Sequence, residues 1–197
     1  MDRISKLIDE IREYGVNNNV PIMSKDTIDT INKIIDENNI KSILEIGSAI
    51  GYSTLCFASN KNIEKITSIE RDDERYNIAY NNVLSSGLSN VELIHDDALN
   101  INIEGMYDLI IIDAAKSQNK RFLDKYKYNL NEKGVIIIDN LDFHGYVFNS
   151  SSIKSRNLRQ MVRKIEKFIT YLKTQDEFSV EFIKVGDTIG VCKRKNL

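Results

Sequence analysis

Ile4, Leu7, Ile8 and Ile11 recur at the spacing of one helical face, and Ile28, Ile31, Ile34 and Ile35 repeat it beyond the lone proline, Pro21. The pattern predicts two amphipathic helices within residues 1–40. From Lys41 onward it changes to short apolar runs separated by helix-length segments: "SILEIG", "KITSIE", "VELIHDDA", "YDLIIIDA" and "GVIIIDN". Runs apolar on both faces are strands buried from both sides, which predicts a parallel sheet with helices packed on each face. A further helix near 156–173 precedes "FSVEFIKV" and "TIGVCKR", and the Gly186-Asp187 between these two runs reads as a tight hairpin. The asparagines at 17–19 and 38–39 read as loops. The expectation is an α/β, Rossmann-like domain over 1–197, with N-terminal helices over 1–40 and a core over 41–197. Its sheet has seven strands, mostly parallel and closed by an antiparallel hairpin. In such a sheet ligands gather at the carboxyl ends of the strands, where the strand order reverses.

Composition narrows the function classes only slightly. With 197 residues, 42% hydrophobic and 28% charged, the chain has enough material for one domain with a real core. A net charge of −2 gives no long-range attraction for nucleic acid or acidic membranes, so such binding would need a local patch. Cys56 and Cys192 lie far apart in apolar contexts with no second ligand at metal spacing, and read as buried free thiols in a reducing compartment. The charged start "MDRISKLIDEIREYG" has no signal-like apolar region and no later run reaches membrane-spanning length, so a cytoplasmic location without membrane contact is expected.

The chemistry gathers where strands end. "LEIGSAIGYSTL" carries Glu45, Gly47 and Gly51 through a strand-to-helix turn, where glycine allows positive φ and close approach of backbone to a ligand. Glycine could serve the turn geometry alone. However, the second strand ends in Glu70, placed to accept both hydroxyls of a ribose, and the third run ends in Asp96, Asp97 and Ala98. The Gly-x-x-x-Gly spacing departs from the dinucleotide pattern. An acidic Glu45 before it would repel a pyrophosphate but suit the amino group of a methionine moiety, which favours S-adenosylmethionine over NAD.

Two further runs end on acids, Asp113 and Asp139, the latter followed at once by Asn140. Neighbouring parallel strands bring their ends within about 5 Å, where two buried carboxylates repel unless a cation joins them. Two carboxylates and an amide oxygen make an all-oxygen set suited to Mg²⁺ or Mn²⁺. Taken singly, Asp113 could cap a helix and Asp139-Asn140 could be a turn. Lys116, three residues beyond Asp113, would lie close enough to take a proton from a hydroxyl.

Together "ILEIGSAIGYSTL", "SIERDDERYNIAYNNV", "DDAL", "IIIDAAKSQ", "GVIIIDN" and "VGDTIGVCKR" resemble the metal-dependent class I O-methyltransferases of the catechol and caffeoyl-CoA type. Within that group, "IDAAKSQ", "DNLDFHGYV" and "RNLRQMVRKIEKF" are most similar to bacterial tRNA 5-hydroxyuridine methyltransferases, which make 5-methoxyuridine at the wobble position. The resemblance covers nearly the whole chain from about Pro21. It implies a methyltransferase fold in which Glu45, Gly47 and Ser53 border the methionine and sulfonium, Glu70 holds the ribose, and Asp97 with Ala98 lies by the adenine. It implies Asp113 at both cofactor and metal, Asp139 and Asn140 as metal ligands, Lys116 as the base, and a homodimer. His95-Asp96 departs from the family pattern, which commonly has Gly before the second Asp. The expected reaction is deprotonation of a hydroxyl that has a second oxygen beside it, followed by in-line attack on the sulfonium methyl.

The acceptor is read from "SRNLRQMVRKIEKFITYL". Leu158, Met161, Val162, Ile165, Phe168, Ile169 and Leu172 share one helical face, and Arg156, Arg159, Arg163 and Lys167 share the other, with Lys154 extending the basic stripe. Such a stripe can follow a phosphate backbone, so tRNA is the expected acceptor, with a phenolic small molecule as the alternative. A solvated outer face would look the same. Phe143, His144, Tyr146 and Phe148, just after the metal residues, could stack a base or cover a pocket.

Overall fold

A computed structural model describes residues 3–142, 145–147 and 153–195. Phe143, His144 and Phe148 lie outside the described residues. The two expected N-terminal helices are α1 (Arg3–Asn17) and α2 (Lys25–Glu37). Ser24 caps α2, its hydroxyl accepting from the Thr27 amide. Asn19 and Asn39 take φ of 53° and 52° just beyond the two helices, the left-handed conformation that asparagine tolerates.

Alternation then takes over: β1 (Ser42–Ile46), α3 (Tyr52–Ala58), β2 (Lys65–Glu70), α4 (Asp73–Ser86), β3 (Val91–His95), β4 (Tyr107–Ile112), α5 (Asn119–Tyr126) and β5 (Leu130–Ile138). The chain closes with α6 (Arg156–Thr174), β6 (Phe178–Ile183) and β7 (Ile189–Arg194). The seven strands stand in the order β3-β2-β1-β4-β5-β7-β6. Pairing is parallel from β3 to β5, and β7 inserts antiparallel between β5 and β6. The order reverses between β1 and β4, where the sequence expectation put the ligand.

Period-two alternation sends each strand's side chains to two cores. Leu44, Ile46, Ile110, Ile112, Ile136 and Ile138 pack with α5 and α6; Ile43, Leu109, Ile111, Val135 and Ile137 pack with α1, α2 and α3. Every residue of α3 is buried, because α1 and α2 lie outside it. Cys56 and Cys192 are both buried free thiols. No helix of the described residues is long and apolar enough to cross a membrane.

The terminal hairpin forms, but its turn differs from the expected two-residue one. Ile183 pairs with Ile189, leaving residues 184–188 as a five-residue loop in which Gly186 and Thr188 both have positive φ. Gly186 is needed there for packing as well: a Cβ on it would meet Thr27 Oγ1 at 2.5 Å, at the first turn of α2. The same loop holds the segment after β5, since Leu141 N donates to the Thr188 carbonyl (3.0 Å) and Asp142 N to the Asp187 carbonyl (2.7 Å).

Tyr126 at the end of α5, fully buried, donates its hydroxyl to the Ala98 carbonyl at 2.6 Å and so ties that helix to the loop after β3. Tyr126→Phe leaves that carbonyl without its partner. The expected cost is about 1 kcal/mol, a thermal midpoint lowered by roughly 2–4 °C in calorimetry; no change would mean the bond does not support the loop.

Candidate active site

The sheet register puts three strand ends level. Ile46 pairs with Ile112 and Ile112 with Ile138, so the next residues, Gly47, Asp113 and Asp139, form the row just beyond the sheet. The ladder runs on for that row: Asp113 N donates to the Ile46 carbonyl (3.0 Å) and Asp139 N to the Ile112 carbonyl (3.1 Å). Gly47 has φ +99°, and a Cβ there would stand 2.4 Å from the Asp113 carbonyl oxygen. Only glycine lets the turn pass so close to β4.

One cleft of about 990 Å³, its open mouth included, runs along these carboxyl ends. Of the residues singled out in the sequence, Gly47, Ser53, Glu70, Asp97, Ala98, Asp113 and Lys116 all line it. Ser48, Tyr52, Arg71, Arg75 and the segment from Pro21 to Met23 line it too, and sequence reasoning does not select them. Pro21 is visible in the sequence only as an isolated proline, and Arg75 carries no local signal because its place on the wall depends on how α4 packs.

At the end of the cleft beside β2 and β3, Glu70 is held by three backbone amides. Arg71 N and Asp72 N donate to its Oε1 and Ala49 N to its Oε2, each at 2.9 Å. Asp97 is fixed by the Leu99 amide (2.9 Å) and faces Arg71 Nη1 (3.4 Å). His95 is exposed outside this end, stacked on Tyr76 with ring centroids 4.3 Å apart and its Nε2 3.0 Å from Asp73.

Glu45 sits elsewhere than expected. It shares the parity of Ile43, which faces the helices α1, α2 and α3, so its carboxylate points under α3 and is absent from the cleft wall. There it accepts from Ser53 Oγ at 2.5 Å, Ser68 Oγ at 2.6 Å and Thr54 Oγ1. Burial pushes its pKa up, and the three hydroxyls oppose that. It reaches the cleft only through Ser53.

At the opposite end, Asn140 has φ 63° and joins the two acids: its backbone N–H donates to Asp139 Oδ1 (2.7 Å) and its side-chain amide to Asp113 Oδ1 (2.9 Å). Asp139 and Asn140 stand behind Asp113, off the cleft wall itself. Burial pushes the Asp113 carboxyl up, while Lys116 and the Asn140 amide pull it back. Burial and then the Asp113 charge push Asp139 up to about 7. Lys116 opens the 3₁₀ turn Lys116–Gln118, half-buried; its carbonyl accepts from the Asn119 amide, and its side chain makes no hydrogen bond among the described residues. Among the described residues no three His, Cys, Asp and Glu side chains gather to hold a metal. The available donor set is two carboxylates and an amide. It fits a hard divalent cation, because the two acids are short of positive charge and every donor is an oxygen.

The helix α6 packs against the turn that carries Lys116. Arg156, Arg163 and Lys167 are exposed on it as expected, with Lys154 before it. Arg159 is half-buried instead, its guanidinium turned back to the Ile153 carbonyl (2.7 Å). Tyr146, from the aromatic loop, is partly buried against the core.

A model of the O-methyltransferase family matches residues 2–195. Caffeoyl-CoA O-methyltransferase 1 of Arabidopsis thaliana is 27% identical over 205 residues, spanning 94% of this chain and 76% of the relative. Tapetum-specific methyltransferase 1 of the same plant is 26% identical over 208 residues, spanning 98% and 88%. Among solved structures, a candidate caffeoyl-CoA O-methyltransferase from Staphylococcus aureus matches with a TM-score of 0.89 and 37% identity over 95% of this chain and 92% of that one. The SAH-bound Podospora anserina methyltransferase PaMTH1, 20% identical over 100% and 89%, shares the fold with a TM-score of 0.86.

A folded Asp139 pKa above its unfolded value means that stability is fully present below the unfolded value, near about 4, and is lost as pH rises through about 7. In EDTA, Asp139→Asn is therefore expected to melt several degrees above the parent protein at about pH 8 and close to it at about pH 4. Thermal denaturation at both pH values checks this, and a variant less stable at the higher pH would contradict it.

Proposed function

The chain belongs to the O-methyltransferase family, and from that premise we propose that it methylates a phenolic small molecule, using S-adenosylmethionine, at a hydroxyl with a second oxygen beside it. The observation that carries this reading is one cleft with two chemically distinct ends. A carboxylate placed for a ribose, Glu70, lies at one end, and Asp113 beside Lys116 lies at the other, with Asp139 linked to Asp113 through Asn140. The relatives named for caffeoyl-CoA support the phenolic acceptor.

In this reading Glu70 accepts from the ribose hydroxyls through the oxygen capacity that three backbone amides leave free. Asp97 and Ala98 flank the adenine, and Gly47 leaves room for the methionine chain to pass the end of β4. Asp113, Asp139 and Asn140 would hold Mg²⁺ or Mn²⁺. Such a cation supplies positive charge and a polarising centre for two adjacent acceptor oxygens. Lys116 takes the proton of the hydroxyl to be methylated at its Nζ. The resulting oxygen attacks the methyl carbon as the carbon–sulfur bond breaks, and the sulfonium becomes a neutral thioether. Alignment along the cleft wall holds donor and acceptor in line.

A second reading, methylation of 5-hydroxyuridine in tRNA, rests on a specific feature. The exposed basic residues Arg156, Arg163 and Lys167 lie on the helix packed against the Lys116 turn, where a phosphate backbone could run while a base enters the site. The 5-hydroxyl and 4-carbonyl of that base offer the same pair of adjacent oxygens as a catechol.

Parallel assays with a catechol, a caffeoyl thioester and hydroxyuridine-containing tRNA test both readings. Methyl transfer is expected to the phenols, to stop in EDTA, and to fall about 100-fold or more in Lys116→Met with cofactor affinity kept. Transfer to tRNA alone, lost in the double variant Arg156→Glu with Arg163→Glu, would replace the first reading by the second. Turnover that persists in excess EDTA would contradict both.

A further inference from the structure

Successive side chains of a strand point to opposite faces, yet Asp139 and Asn140, the two residues after β5, serve one place. Asn140 donates its side-chain amide to Asp113 Oδ1 (2.9 Å), and Asp139 lies close enough to Asp113 for that charge to push its pKa up. The pairing with β7 explains how both can do so. Ile138 stands opposite Gly190, so an unbroken ladder would set Leu141 opposite Asp187. Instead Leu141 N donates to the Thr188 carbonyl (3.0 Å) and Asp142 N to the Asp187 carbonyl (2.7 Å), one residue out of step. The β5 side therefore carries an extra residue, a β-bulge, and Asn140 at φ 63° absorbs it.

A left-handed backbone costs even an asparagine free energy, so its surroundings must hold it there. The hairpin does this from two directions. Leu141 is 1% exposed, and its Cδ1 fills the space beside Gly190 of β7, where a Cβ would stand only 2.8 Å away. Thr188, whose carbonyl takes the Leu141 amide, is itself left-handed at φ 62°, which is rare for a β-branched residue, and its own N–H closes the loop on the Val185 carbonyl (2.9 Å). The loop is in turn seated on the first turn of α2, where Gly186 lies against Thr27 and Ser24 with no room for a Cβ. We infer that the hairpin loop 184–188 is the positioning element of the acidic end: the Thr188 and Asp187 carbonyls hold the bulge at Asn140, which turns two successive side chains toward Asp113 and so sets the affinity for a divalent cation. The inference rests on the reading above that Asp113, Asp139 and Asn140 hold such an ion. The loop acts on them through its backbone.

Titration of the full chain with Mn²⁺, followed by the electron paramagnetic resonance of the free ion, tests this beside calorimetry with S-adenosylhomocysteine. Gly186→Ala places a Cβ 2.5 Å from Thr27 Oγ1 and displaces the loop. It is expected to weaken Mn²⁺ by about 10-fold or more and to leave S-adenosylhomocysteine affinity unchanged. Adding Thr27→Ala removes the obstructing oxygen and should return Mn²⁺ affinity to within about threefold of the parent. In the parent itself, Mg²⁺ should slow hydrogen exchange at the Leu141 and Asp142 amides, because coupling between loop and ion is reciprocal, and this measurement needs no variant to fold. Unchanged Mn²⁺ affinity in Gly186→Ala, equal weakening of both ligands, or failure of Thr27→Ala to restore binding would each overturn the inference. So would exchange at those two amides that is indifferent to Mg²⁺. A parent protein that binds no Mn²⁺ would overturn the proposed cation together with the inference, whereas a failure confined to the variants or to the exchange overturns the inference alone.

Discussion

Between the end of β1 and the end of β4 there is room for a backbone and little else. The missing Cβ of Gly47 would press on the Asp113 carbonyl, and that close pass lets the β1 turn and the β4 acid share one wall. A side chain at Gly47 would face backbone, which cannot swing away, and a φ of +99° that it would resist. The rest of the cleft inherits its placement from this contact. Glu70 is positioned against the same turn through the Ala49 amide, and Asp139 through the ladder that runs from Ile46 to Ile112 to Ile138. The two ends of the cleft are therefore set by backbone geometry, before any side chain chooses a rotamer.

The N-terminal helices matter for the same reason. The helix α3 is short and wholly buried, so it cannot face water and depends on α1 and α2 as its cover. The connection between those two helices returns to the cleft and lines it with Pro21, Ile22 and Met23. Gly15 has a local role here, since a Cβ on it would stand 2.9 Å from the Ile22 side chain and push that connection outward. At the other edge, the five-residue hairpin loop holds both the first turn of α2 and the segment beyond Asn140. One loop thus links the cover of the cofactor side to the acidic end.

Much of this is legible in the sequence, because it follows from period and register. The runs "DLIIID" and "GVIIID" each end on an acid after the same length of apolar strand, and parallel pairing makes those acids, Asp113 and Asp139, neighbours. What is not legible depends on which face a residue takes or on packing from a distance. Closeness to Gly47 assigns Glu45 to the ligand, but strand alternation turns it under α3 toward Ser53, Thr54 and Ser68. Its alternation with Leu44 and Ile46 is visible in the sequence; that the far face holds three hydroxyls is not. Gly186-Asp187 reads as a tight turn, yet pairing ends at Ile183 and Ile189, and the loop between them lies so close to Thr27 that a side chain at Gly186 would not fit, a long-range contact the sequence does not display. Helical spacing groups Arg159 with the basic stripe, but the Ile153 carbonyl six residues before it takes up its guanidinium.

The buried polar groups divide by whether the protein satisfies them. Glu45 is as buried as any residue in the chain, and three hydroxyls complete its carboxylate, so it works as an internal fastening between β1, β2 and α3. Asp108 is similar at the far end of the sheet, where the Lys41 and Ser42 amides, the Ser42 hydroxyl and Asn131 hold its pKa down. Asp113 and Asp139 lack such completion. They share one asparagine, the Asp113 charge adds to the cost of ionising Asp139, and the positive charge that eases both is Lys116. This deficit lies in the strand-end row, where the two acids are short of positive charge. A fold that satisfies its other buried acids with several donors each would gain stability by treating these the same way, so their incompleteness is best understood as reserved for what binds.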